Sequence, residues 1–263
     1  MSKSMLPTPR FVEGPQGQLY LDDGGSGGTP VVLVHSAAGS TTHWEAQLSH
    51  LRRTRRAMAL DVRGHGRSEP PRDGSYAVAA MGADVVASAD ALGLKRFILV
   101  GHSQGGAVAI AAAAQVPERV AGLVLLDPAT DGRLMPKEDA AGLLAALRSP
   151  AYAQITEGYW KSLLSGARTE VVEQLLADLH ATRAAAIIGG LEAVLSFDPL
   201  TPLRAFTFPC LSVITSLTDR PDALHQLLPD LPTERVESTG HWLQLDAPER
   251  VNAILDRFLV RVP

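Results

Sequence analysis

The chain has 263 residues, with 24 Lys+Arg against 28 Asp+Glu and a net charge of −4, so it can bury a large core and offers no basic face to a nucleic acid. A single cysteine, Cys210, excludes an internal disulfide, and its place in the apolar run 210–214 reads as a small buried hydrophobe, not a thiol nucleophile. The first residues carry no apolar leader and the longest apolar run, Ala107 to Ala114, is far too short for a bilayer, so a cytoplasmic protein with no membrane partner is expected.

In chain order, residues 1–10 read as an extended lead-in. Phe11 to Glu13 and Gln18 to Leu21 read as two short strands joined at a Gly-Pro-Gln-Gly turn. Val31 to Val34 is a continuous apolar run, as in a strand buried on both faces, and it ends in His35-Ser36-Ala37-Ala38-Gly39. A helical pattern follows from Thr42 to Leu51, then a strand from Arg56 to Asp61, then a long helix from Tyr76 to Leu92. The arginines 52, 53, 55 and 56 complement a helix C-terminus and carry no further function.

Phe97 to Val100 leads into Gly101-His102-Ser103-Gln104-Gly105 and the alanine-rich helix Ala107 to Val116. A serine between two glycines at a strand-to-helix turn is the G-x-S-x-G pattern, in which the turn is so tight that the flanking positions must be small. Ser103 is thus a candidate nucleophile; the structural alternative is a glycine-rich turn with a serine cap. Val120 to Leu126 is the next strand, ending at Asp127-Pro128. Strand and helix alternate to this point, which predicts a doubly wound, mostly parallel sheet.

The alternation then breaks. Residues 136–195 hold only helical patterns, around 138–147, 152–164, 169–182 and 184–195, before strands resume at Cys210 to Ile214 and Glu234 to Glu237 and a helix closes the chain from Pro248 to Leu259. The expected organisation is therefore an α/β core of eight strands over residues 1–128 and 199–263, with an inserted helical cap at 129–198.

In an open parallel sheet, ligands sit beyond the carboxyl ends of the strands, so the polar residues just after strands are the ones to weigh: His35, Arg63, Ser103, Asp127, Asp219 and His241. A serine hydroxyl becomes a nucleophile when an imidazole takes its proton and a carboxylate holds that imidazole. His241, in Gly240-His241-Trp242 after the last strand, supplies the imidazole, and the chain order serine, acid, histidine fits the G-x-S-x-G fold. The other histidines, 43, 50, 180 and 225, have no mutual metal-ligand spacing, so no metal and no cofactor are expected.

Together the H-x-x-x-G loop from His35 to Gly39, the D-x-R-G-H-G-x-S segment from Asp61 to Ser68, the elbow from Gly101 to Gly105 and the G-H-W-x-x-x-D-x-P run from Gly240 to Pro248 resemble the α/β-hydrolase superfamily, in its capped esterase-like branch. The resemblance implies an oxyanion hole from the backbone N–H groups of Ala37 and Gln104. It also implies an acid in a P-x-L-x-x-x-G-x-x-D context, which this chain matches imperfectly: the glycine is missing and Asp219 falls one residue late. Asp219 is the expected acid, with Asp222 as a register alternative and Asp127, at the end of the preceding strand, as the position some relatives use. The family usually has His-Gly where this chain has His35-Ser36, so Ser36 is a candidate to alter the loop or reach the pocket. Arg63, His65 and His35 are expected as scaffold, His102 and Trp242 as pocket neighbours.

Tyr152, Tyr159, Trp160 and Phe197 are candidates to line a substrate pocket, although aromatics at helical spacing also serve as cap core. The expected activity is cofactor-independent hydrolysis of a small or medium, largely apolar carboxylic ester or lactone. A carbon-carbon bond hydrolase of ring-cleavage diketones, a perhydrolase and a low-turnover ligand-binding protein on the same fold are the alternatives. The expected partner is a small-molecule substrate.

Overall fold

The computed structural model describes residues 8–262. The expected lead-in therefore lies mostly outside the described residues, and its last part is already strand: β1 (Thr8–Gly14) pairs antiparallel with β2 (Gly17–Gly24) through the turn at Gly14 and Gly17. Then come β3 (Val31–Val34), α1 (Glu45–Leu51), β4 (Ala57–Leu60), α2 (Val78–Ala91), β5 (Phe97–His102), α3 (Gln104–Gln115) and β6 (Val120–Leu126). Five helices follow: α4 (Lys137–Leu147), α5 (Tyr152–Leu163), α6 (Thr169–Ala181), α7 (Ala184–Ser196) and α8 (Leu200–Ala205). The chain closes with β7 (Cys210–Ile214), α9 (Leu224–Leu227), β8 (Thr233–Arg235), α10 (Leu243–Asp246) and α11 (Pro248–Val260).

The eight strands form one sheet in the order β1-β2-β4-β3-β5-β6-β7-β8, antiparallel only at β1-β2 and β2-β4. Side-chain alternation along each strand divides the core into two layers. Val31, Leu33, Ile98, Val100, Val124 and Leu126 face α1 and α11, whereas Val32, Val34, Phe97, Leu99, Leu123 and Leu125 face α2 and α3. Both sets are buried, which is why β3 and β6 carry no polar residue and β5 only the buried His102 at its end. Each such side chain contributes about 1.5–3 kcal/mol of burial, and the result is a rigid frame whose central strands β3, β5 and β6 end side by side.

The five-helix segment between β6 and β7 is tied to this frame at two places. α7 packs on α2 and α3. Its Gly190 admits the Gln104 side chain so closely that a Cβ there would lie 2.2 Å from the Gln104 Nε2. Leu164, Val171, Leu175, Leu179 and Ile187 join Trp160 in an apolar cluster with Trp242 and Ala38 of the core. Among the described residues no helix is long and apolar enough to cross a membrane.

Candidate active site

The elbow forms because β5 and α3 are joined by one residue. Ser103 has φ 52° and ψ −117°, outside the regions L-residues prefer, and its carbonyl accepts from the Gly106 N–H at 2.8 Å. The flanking glycines are required sterically. A Cβ on Gly101 would come within 2.3 Å of the Gly105 carbonyl oxygen, and one on Gly105 within 2.3 and 2.4 Å of the Val34 and His35 oxygens. Backbone strain of this kind persists where the surrounding structure enforces it, and it concentrates at functional sites. All four non-glycine residues with positive φ among the described residues are Ala38, Ser103, Asp127 and Ser238, in the loops that meet at the sheet's carboxyl edge.

His241 and Asp127 meet there. The His241 Nδ1–H donates to the Asp127 Oδ2 at 2.6 Å, with the carboxylate fully buried and the imidazole nearly so. Asp127 is further held by the Thr215 N–H at 2.7 Å, the Thr215 hydroxyl at 3.0 Å and the Thr218 hydroxyl. The expectation that Asp219 partners His241 is corrected by this geometry. The Asp219 carboxylate turns outward, taking the His225 Nε2–H at 2.9 Å, the Gln226 amide at 3.2 Å and the Arg235 guanidinium. The register alternative, Asp222, pairs with Arg220 at the surface. The physical reason is register: counted from Pro209 and Leu211, the position where the acid is expected holds Thr218, whose hydroxyl reaches Asp127, and Asp219, one residue later, is directed to His225 and Arg235.

On its other side the His241 loop is fixed by packing. The His241 N–H donates to the Leu163 carbonyl of α5 at 3.0 Å, and the Trp242 ring lies 5.0 Å from the imidazole and 6.1 Å from Trp160. Asp246 accepts from the N–H groups of Gly240 at 2.9 Å and Arg168 at 3.0 Å, clamping this loop to the start of α6. Behind the imidazole, His102 donates from Nε2 to the His241 carbonyl at 3.0 Å and faces the Gln244 amide at 3.2 Å. Burial pushes the His102 pKa well below its ordinary value, so no second positive charge stands behind His241. His102 is therefore a support of the loop, a role the sequence did not reveal.

The loop from His35 to Gly39 is built on its first residue. Its Nδ1–H donates to the Ser36 carbonyl at 2.7 Å and its Nε2 accepts from the Val62 N–H at 2.9 Å, an arrangement that fixes one neutral tautomer. Burial depresses its pKa as well. Ala38 takes φ 54° and Gly39 follows. Asp61 ties the loop's far end to the Gly64–Gly66 turn by accepting from the Thr41 N–H at 2.6 Å and the Arg67 N–H at 2.8 Å. Gln104 is the first residue of α3, so its N–H has no acceptor within the helix. Arg63, bonded through Nε and Nη2 to Asp84 at 2.6 and 2.7 Å, is buried scaffold, as is His65, whose pKa burial lowers to about 4.

The remaining candidates separate. Ser36 is buried, with its carbonyl engaged by His35 and by the Gly39 N–H. Trp160 and Trp242 are buried in the apolar cluster and Tyr152 packs at its edge. Tyr159 is 53% exposed, with its ring edge-on to Trp160 at 5.8 Å. Phe197 packs against the core cluster of α2 and α3. A cleft of about 370 Å³ opens beside the His35–Gly39 loop, between Ala38–Ser40, the 64–70 turn and the segment Ala181–Arg183; Ser103 and His241 are not in its wall.

This constellation can be compared with known proteins. The family model of the alpha/beta hydrolase fold matches residues 29–165, just over half the chain. The chain belongs to the alpha/beta hydrolase fold family. It is 30% identical, over 91% of its length, to the dihydrolipoyllysine-residue acetyltransferase component of the acetoin cleaving system of Pseudomonas putida, and spans 66% of that protein. It is 29% identical to a 2-hydroxymuconate semialdehyde hydrolase of Pseudomonas putida, covering 88% of this chain and 87% of that one. Among solved structures, Est816, an N-acyl homoserine lactone degrading enzyme, superposes with a TM-score of 0.79 at 26% identity over 95% of this chain and 100% of its own.

Proposed function

We propose that this alpha/beta hydrolase is a serine hydrolase of small to medium, largely apolar carboxylic esters or lactones. The observation that carries the reading is the 2.6 Å hydrogen bond between His241 and the buried Asp127 beside the strained Ser103 elbow. In this mechanism the Ser103 oxygen attacks the carbonyl carbon while His241 accepts its proton. Asp127 holds the imidazole in the tautomer that leaves Nε2 free to do so and stabilises the cation formed. The N–H groups of Ala37 and Gln104 receive the oxyanion, an interaction whose loss typically costs about two to three orders of magnitude in rate. The tetrahedral species collapses as His241 returns the proton to the leaving oxygen; water then repeats the sequence on the acyl-enzyme, and Ser103 is regenerated. Residues 129–198 act as the cap that shapes the acyl and alcohol sites, with Tyr152, Trp160 and Trp242 framing it.

The lactone half of the proposal is supported by the likeness to Est816. A second reading, hydrolysis of a carbon-carbon bond in a ring-cleavage diketone by the same three side chains, is supported by the 2-hydroxymuconate semialdehyde hydrolase relative. One assay separates them: short p-nitrophenyl esters, acyl lactones and a ring-cleavage diketone are each offered to the protein and to Ser103→Ala. Serine-dependent turnover of esters or lactones above that of the diketone is the expected outcome. Turnover of the diketone alone overturns the proposal in favour of the second reading.

A further inference from the structure

The donors around Asp127 outnumber what is needed to seat a histidine. Its Oδ1 accepts from the Thr215 N–H and the Thr218 hydroxyl, and its Oδ2 from the Thr215 hydroxyl and His241. Thr215 is fixed by the end of β7 and fully buried. Thr218 is different. It stands in the loop after β7, half-buried, and that loop is pinned from outside by Asp219, which ties it to His225 and Gln226 on α9 and to Arg235 on β8.

Resting on the assignment of Asp127 as the acid, we infer that Thr218 tunes the general base. Its hydroxyl, held against Asp127 by the Asp219 anchor, withdraws part of the carboxylate's charge from His241. The reasoning is electrostatic. A carboxylate stabilises the neighbouring imidazolium according to the negative charge it presents, and each additional hydrogen bond to its oxygens disperses that charge. In a buried site, where the interaction is not screened by water, the effect reaches the neighbouring ring. The other titratable groups facing the pair are His102, with its ring 4.8 Å from His241, Asp246 at the Gly240 N–H, and the Asp219-His225-Arg235 group beyond Thr218. A change confined to the Thr218 hydroxyl leaves all of them in place.

The sign follows. Without the hydroxyl, Asp127 presents more charge, the imidazolium is favoured, and the acid limb of the pH profile moves to higher pH. The ring feels only part of the strength of a hydrogen bond to its carboxylate partner, which corresponds to a displacement of about half a pH unit. A purely structural role for Thr218 would lower rate or stability and leave the limb where it is.

The test is the pH dependence of kcat/KM on p-nitrophenyl acetate for the wild type, Thr218→Val, Thr218→Ser and Asp127→Asn, with thermal melts as a check of folding. Thr218→Val is expected to raise the acid limb by about half a unit and Thr218→Ser to restore the wild-type position. Should Thr218→Val not fold, Thr218→Ala carries the same expectation. A limb that stays put or moves down in a folded Thr218→Val or Thr218→Ala variant overturns the tuning role. Wild-type turnover by Asp127→Asn instead overturns the acid assignment on which it rests, so the two failures are distinguishable.

Discussion

His241 is held on two sides by different forces. On the imidazole side, toward β6 and β7, the ring is held by hydrogen bonds: the Asp127 carboxylate and, behind it, Thr215 and Thr218. On the backbone side, toward α5 and α6, one hydrogen bond from the His241 N–H to the Leu163 carbonyl is embedded in the Trp160, Trp242, Leu164 and Val171 cluster. Polar contacts fix orientation and charge through short, directional bonds. Apolar packing fixes position through many weak contacts and is indifferent to protonation. Damage to the first side should therefore appear in rate and pH dependence, and damage to the second in stability.

The largest stability effect is expected at Trp160→Ala, which empties a fully enclosed indole site. It should cost about 3–5 kcal/mol in urea denaturation. A loss below about 1 kcal/mol would mean that the helical segment, and not the core, carries little of the fold's cooperativity. Gly105→Ala comes next, because the new Cβ meets two backbone carbonyls that cannot swing away. The expected cost is at the upper end of the ~1–3 kcal/mol of overpacking, together with loss of Ser103-dependent turnover, and an unperturbed variant would refute the tightness of the elbow.

A smaller effect is expected from pH. His35, His65 and His102 are buried neutral, with pKa values pushed below the ordinary 6.5, to about 4 for His65. The unfolded chain binds these protons first, so stability is full above about 6.5 and declines as pH falls toward 4. Melting curves across that window should show Tm dropping on acidification, and His65→Gln should make the drop shallower, by about 2–4 °C at its acid end. Asp219→Ala should be the mildest of the set. Its partners are partly exposed, so about 0–1 kcal/mol is expected after solvent screening.

The contrast between the two sides also explains what the sequence reveals. The elbow is legible because its glycines, its serine and the strand-to-helix change all fall within nine residues from Phe97 to Gly105. Strands β3 to β7 and the four longer helices of the inserted segment are legible because each is a periodic or continuous apolar run, whereas β8 is Thr-Glu-Arg; α8 and α10, one turn or so each, are too short to show a period. Trp160 and Trp242 can be picked out as aromatics, but whether they line a pocket or pack as core depends on the way α5 docks. Which aspartate meets His241 is harder still. Asp127 and Asp219 both follow apolar strands, and the local register of the loop after β7 separates them. The late register of Asp219 was the one signal: with Thr218 standing where an acid would be expected, its hydroxyl is what reaches Asp127.

The central claim is that Asp127, and not Asp219, completes the site. It is tested most directly by kcat/KM on a short p-nitrophenyl ester for Asp127→Asn and Asp219→Asn, measured beside the wild type and Ser103→Ala. The account predicts a loss of about 10⁴-fold in kcat for Asp127→Asn, in line with what the same change does to a Ser-His-Asp triad elsewhere, and a loss below about tenfold for Asp219→Asn. The reverse pattern, with Asp219→Asn inactive and Asp127→Asn near wild type, would contradict it.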